Sequence, residues 1–143
     1  MSGKALMAAL LAFTAVFAVG LWYAQFHAFY EEYEAESVEI GGTVYPVTEF
    51  EGIDASTSPL KLRACFRMEA VPAGAPYAAA EPLVAPGWFD CFDAERLSRA
   101  LAEGRAIAFL AETEEFDGID RVVMRFPDGR AFMWRQLNEK FAD

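Results

Sequence analysis

The chain has 143 residues, 55% of them hydrophobic, with 12 Lys and Arg against 22 Asp and Glu. That length suits one ordinary domain plus a short extra segment, and the formal charge of −10 argues against nucleic acid, whose phosphates need clustered cations. The 21 aromatic residues exclude a wholly disordered chain, and one His with two Cys excludes most zinc and haem ligand sets drawn from this chain alone.

Charge is unevenly placed. Lys4 is the only charged side chain in residues 1–30, and the remainder carries 11 basic against 22 acidic side chains. Ala5 to Ala24 contains no charge and no Pro. A helix of that length rises ~30 Å, about the hydrocarbon thickness of a bilayer. Trp22 and Tyr23 stand at its end, where amphipathic rings favour the headgroup level. Lys4 and the amino terminus precede the run, and no Lys or Arg follows until Lys61. The positive-inside rule then places the N-terminus in the cytoplasm and the body outside, which in a Gram-negative cell is the periplasm. The expectation is a single-pass inner-membrane protein. A cleaved signal peptide, with a small-residue site near Ala18-Val19-Gly20, is the rival reading and puts the body in the same compartment.

Ala8, Ala12, Val16, Gly20 and Ala24 recur every four residues, and Gly20 with Ala24 forms a small-xxx-small pair that lets another helix approach closely. Residues Gln25 to Tyr33 read as continuing helix, which aligns Trp22, Phe26, Phe29 or Tyr30, and Tyr33 on one aromatic face. That face is either a membrane belt packed on the protein's own domain or a docking stripe for a neighbouring membrane subunit. His27, with no second His available, reads as structural rather than as a ligand.

The expected organisation is therefore an anchor with a juxtamembrane helical extension over 1–36 and an α+β domain, mainly antiparallel, over 37–143. Val38 to Ile40, Gly41-Gly42 and Thr43 to Tyr45 predict a hairpin. Glu49 to Pro59 reads as loop. Leu60 to Met68 alternates, with Leu60, Leu62, Ala64, Phe66 and Met68 on one face, and predicts a half-buried strand. Residues 71–87 hold four Pro among many Ala and predict an irregular arm, with a new ordered element at Trp88-Phe89. Asp93 is a candidate N-cap for a helix from Ala94 to Glu103, closed by Gly104 at C′. Ala106 to Ala111 suits a strand and Glu112 to Asp117 an acidic loop. Ile119 to Phe126 and Ala131 to Leu137 predict two strands joined at Pro127-Asp128-Gly129. The total is five or six strands and one helix in layered packing.

Cys65 and Cys91 both lie in the exported body, where two Cys in a small domain pair. A redox role is weaker: CxxC is absent, and Asp90 and Asp93 beside Cys91 would raise a thiol pKa. No catalytic or metal-binding constellation emerges, and no cofactor is expected. Glu112, Glu114, Glu115, Asp117 and Asp120 form the densest acidic stretch. It is either a solvated loop or a surface that steers a basic partner such as a soluble electron carrier.

Several stretches carry a resemblance: Glu81-Pro82-Leu83, Ala85 to Ala94, Phe50-Glu51-Gly52-Ile53-Asp54, Arg63-Ala64-Cys65-Phe66, Gly118 to Val123, and Phe126-Pro127-Asp128-Gly129-Arg130. Together they resemble a family of short, uncharacterised bacterial proteins with one N-terminal membrane helix and an exported domain. Some are labelled histidine kinase, although this length leaves no room for an ATP-binding domain. The resemblance implies an anchored, exported protein and transfers no catalytic residue. The expected function is a non-catalytic accessory or assembly subunit of an inner-membrane complex, specifically of the respiratory chain, with other membrane subunits and the lipid bilayer as partners. The alternative is a free-standing anchored domain that binds a ligand or peptide on the arm at Tyr77, Trp88 and Phe89.

Overall fold

The structure is a computed structural model that describes residues 2–26 and 30–140, with side chains for all of these except Gln25 and Phe26. It consists of an apolar N-terminal helix, a mainly antiparallel sheet domain, a second short helix and one disulfide.

Helix α1 spans Gly3–Phe26. Of the strands that follow, β1 is Glu31–Tyr33, β2 Ser37–Ile40, β3 Thr43–Pro46, β4 Thr48–Asp54 and β5 Arg63–Arg67. Helix α2 is Ala94–Ala102, followed by β6 Ile107–Phe116, β7 Ile119–Arg125 and β8 Arg130–Leu137. Six strands form one antiparallel sheet in the order β1-β4-β5-β8-β7-β6, and β2-β3 is a separate hairpin.

The sheet is apolar on both faces, so it needs two covers. On one face Leu62, Ala64, Phe66, Phe109, Val123, Ala131 and Met133 pack under Val38 and Ile40 of the hairpin. The hairpin turns at Gly41 and Gly42, both at positive φ (61° and 87°), where a side chain would be strained. Gly41 also donates its N–H to Ala111 O, which fastens the turn to β6. On the other face Cys65, Val122, Met124, Phe132 and the fully buried Trp134 lie under α2 and the irregular segment that precedes it. Asp93 caps α2, its carboxylate accepting from Arg96 N–H, and Leu97 and Ala100 face the sheet. The Cys65–Cys91 disulfide joins β5 to the end of the arm across a Cα–Cα distance of 6.3 Å.

Four expectations are corrected. The chain from Gln25 to Tyr33 is not one helix: α1 ends at Phe26 and Glu31–Tyr33 pairs with β4, so the juxtamembrane extension assigned to 1–36 is in part a strand of the domain. Tyr, Phe and His are weak helix formers, and a waiting sheet edge overrides helical spacing there. Glu49 to Pro59 is loop only after Asp54, because β4 occupies its first half. A bulge between Thr48 and Glu51, with Glu49 at φ 53°, hides its alternation. Leu60 to Met68 is strand only from Arg63, since Pro59–Lys61 makes a 3₁₀ turn, and it is buried on both faces rather than one. Finally, Glu112 to Asp117 extends β6 instead of forming a loop. Its irregularity at Glu114 (φ 47°) is held by the Glu114 N–H donated to Asp120 Oδ1 at 2.8 Å.

Gly52 shows how closely β1 seats. A Cβ there would stand 2.8 Å from Tyr33 O and 2.7 Å from Phe50 Cε1. We expect Gly52→Ala to shift β1 and lower stability by about 1–3 kcal/mol in urea titrations of the detergent-solubilised chain. An unchanged midpoint would contradict the seating. The disulfide closes a loop with a sequence separation of 26. Its reduction should cost ~3.5 kcal/mol in the chain-entropy model, read as a lower thermal midpoint under reductant.

Candidate docking surface

One end of the sheet holds Tyr30 and Tyr33, two of the residues on which the sequence reading placed docking. Glu31 is opposite Asp54, Ile53 opposite Arg63, Arg63 opposite Trp134, and Ile119 opposite both Leu137 and Phe116. The register therefore puts the start of β1, and the entry of the chain from α1, at the same end as the start of β5 and the end of β8.

α1 itself is the one helix among the described residues long and apolar enough to cross a membrane: Gly3–Ala24, mean hydropathy 2.2, none of it buried in the domain. No neighbouring heavy atom stands within 4 Å of a Cβ placed on Gly20, so the small-residue stripe is open. Trp22 is 53% exposed and Ala24 half-buried. His27, Phe29 and the Phe26 side chain lie outside the described residues.

Tyr30 and Tyr33 are not on a helical stripe. The Tyr30 ring meets Trp88 edge-on at 5.5 Å, and Lys61 Nζ lies 5.2 Å from its centroid. Tyr33 meets Phe50 at 5.3 Å, and Phe50 stacks on the core residue Phe66 at 5.6 Å. Of the two readings of the aromatic face, packing on the protein's own domain holds for these two residues. They couple the entry of the chain to the core. Tyr33, Phe50, Trp88 and Phe89 wall a groove of about 300 Å³, rimmed by Glu32, Glu34 and Glu51.

Beside this cluster Arg63, only 6% exposed, is held by four backbone carbonyls, with its guanidinium 5.8 Å from the Phe92 ring centre. Its guanidinium donates to Leu60 O and Leu62 O, each at 2.6 Å, and to Leu83 O at 3.1 Å and Val84 O at 3.0 Å. Burial lowers its pKa to about 10, opposed by the nearby Tyr30 hydroxyl, so it stays charged at neutral pH. Burial in turn raises the Tyr30 hydroxyl, with the Arg63 cation pulling it back. The buried cation is tolerable here because four of its hydrogen bonds end on fixed carbonyl dipoles.

Arg135 performs a similar service on the opposite face. It bonds Asp54 at 3.3 Å, Glu115 at 3.1 Å and Pro59 O at 3.1 Å, and its guanidinium lies 4.9 Å from the Phe116 ring centre. Arg121 shares Glu115 at 3.0 Å. The acidic stretch is therefore not a free negative surface. Glu115 is neutralised by two arginines, Asp117 pairs with Lys140, and Glu112 lies opposite Arg121 in the ladder. Asp120 is 4% exposed and accepts from Glu114 N, Asn138 Nδ2 and Tyr77 Oη, while Glu114 accepts from Asn138.

The arm does not present Tyr77, Trp88 and Phe89 together. Tyr77 donates its N–H to Ala108 O on β6, at the far edge of the sheet, and its hydroxyl to Asp120 at 3.2 Å. Burial raises that hydroxyl, and the Asp120 carboxylate adds to the rise. Trp88 and Phe89 belong to the β1 edge instead. Sequence reasoning missed Arg63, Gln136 and Arg135. Alternation put Arg63 on a solvent face, and nothing local signals that Gln136 serves three groups. Among the described residues no group of three or more His, Cys, Asp or Glu is arranged to hold a metal.

A family model, described as a family of unknown function (DUF6446), matches residues 34–143. The chain belongs to this family. The match covers most of the sheet domain and begins after α1. No curated protein and no solved structure matches the chain.

Replacing Arg63 with Met should leave the Leu83 and Val84 carbonyls without donors. We expect a loss of about 1–3 kcal/mol and faster proteolysis within residues 71–90, with the disulfide intact. Unaltered cleavage there would show that Arg63 does not pin the arm.

Proposed function

We propose that this chain is a single-pass, non-catalytic accessory or assembly subunit of a complex in the cytoplasmic membrane, its domain on the oxidising, periplasmic side. A respiratory-chain complex is the specific assignment we put forward. The observation that carries the reading is α1: an apolar helix with an open small-residue stripe, separated from the first strand of its domain only by residues 27–30. In lipid, close backbone approach and packing drive helix association, which such a stripe permits. The disulfide supports an oxidising compartment, and Lys4 ahead of α1 supports a cytoplasmic N-terminus.

The structure changes where the docking residues are sought. Gly20 and Trp22 remain on an exposed helix surface, with Ala24 half-buried beside them, whereas Tyr30 and Tyr33 serve the chain's own domain. Steering of a basic electron carrier is less well supported, since most of the acidic stretch is paired or buried. An anchored ligand- or peptide-binding domain is the second reading, favoured by the aromatic groove beside β1.

Tagged full-length protein, extracted in mild detergent, should co-purify with a stoichiometric set of membrane subunits. Gly20→Leu with Ala24→Leu should lower that recovery about tenfold, the equivalent of 1.4 kcal/mol of lost packing, while leaving the domain's thermal transition unchanged. Equal recovery with both leucines in place would reject docking through this stripe. A chain that emerges alone would favour the second reading.

A further inference from the structure

At the opposite end of the domain, four arginines line one small pocket. Arg96 and Arg99 come from α2, Arg105 from the α2–β6 connection, and Arg130 from the start of β8. They are a third of the 12 Lys and Arg in a chain of formal charge −10. Such concentration of cations in an acidic protein needs a reason. The pocket's apolar wall is Leu97, Phe126 and Phe132, beside the half-cystine Cys91. Asp93 is its one acidic lining residue, and that carboxylate is engaged in capping α2.

We propose that this pocket binds a small oxyanion, a carboxylate or phosphate group on a compact molecule. Its volume, about 170 Å³, is below the ~300–1,000 Å³ usual for drug-sized ligands and cofactors, which fits a small anion better. Three guanidinia are already oriented by neighbouring carboxylates: Arg99 by Glu95 at 3.1 Å, Arg105 by Glu103 at 2.6 Å, and Arg130 by Asp128 at 2.8 Å. Arg130 is further fixed over the Phe126 ring at 4.4 Å. These pairs are solvent-exposed, so each is worth little by itself and leaves further N–H donors for an incoming oxyanion. Arg96 makes no ion pair among the described residues. It contributes a cation whose natural partner is the ligand. Charge-assisted, fork-shaped contacts to carboxylate or phosphate are what guanidinium geometry favours. The site is independent of α1 and of the proposed subunit role.

Calorimetric titration of the full-length protein in detergent, at fixed ionic strength, tests the proposal with inorganic phosphate and citrate as probes. Saturable one-to-one binding of at least one probe is expected, with Kd of about 1 mM or tighter. Arg96→Ala and Arg130→Gln should each weaken it about tenfold, while Lys61→Ala, at the other end of the domain, should leave it unchanged. Circular dichroism checks that the variants fold, and Arg96→Ala removes no ion pair among the described residues. No saturable heat with either probe, or equal weakening by Lys61→Ala and Arg96→Ala, would overturn the site and leave only diffuse charge attraction.

Discussion

A sheet that is apolar on both faces must be covered twice, and the second cover in this protein joins α2 to a stretch of irregular chain. Residues 71–92 cross from the β6 edge to the β1 edge without a strand or helix of their own. Backbone N–H and C=O groups brought against a core lose water and must find partners. Here the sheet supplies them from its side chains. Arg63 takes the carbonyls of Leu83 and Val84. Gln136 accepts from Glu81 N and Trp134 Nε1 through one oxygen and donates to Ala79 O. Arg125 takes the carbonyls of Met68 and Glu69 where the chain leaves β5. Among the described residues no buried side-chain nitrogen or oxygen lacks a partner.

The same arm determines what the surface offers. By crossing the sheet it carries Trp88 to the β1 edge, where Tyr30 meets it as the chain arrives from α1. Aromatic contacts from Tyr33 through Phe50 to Phe66 continue that junction into the core. At the far end, the disulfide half at Cys91 and the capped start of α2 fix the arginine-lined pocket.

Much of the fold was legible in the residues themselves. The apolar helix, the Gly41-Gly42 hairpin, the Asp93 cap, the turn before β8 and the Cys65–Cys91 pair each carry a local signal, and each is present. What was not legible depended on distant partners. Glu31–Tyr33 becomes a strand only because Gly52 lets it approach β4, and helical spacing in Gln25 to Tyr33 gave the opposite indication. β4 and the end of β6 were obscured by bulges at Glu49 and Glu114, which break the period of two. The acidic stretch looked like a surface because its neutralising cations, Arg121, Arg135 and Lys140, come from later in the chain. Arg63 looked solvated because its partners are backbone carbonyls, which carry no sequence signature.

The arm is a structural layer of the domain. Site-resolved hydrogen exchange of the full-length protein in detergent tests it most directly. The amides of Tyr77 and Glu81, bonded to Ala108 O and to Gln136 Oε1, should exchange as slowly as those of β5 and β8, through one shared opening. Exchange of Tyr77 and Glu81 at the rate of free peptide, with β5 and β8 still protected, would show that the arm is a loose connection and contradict this account.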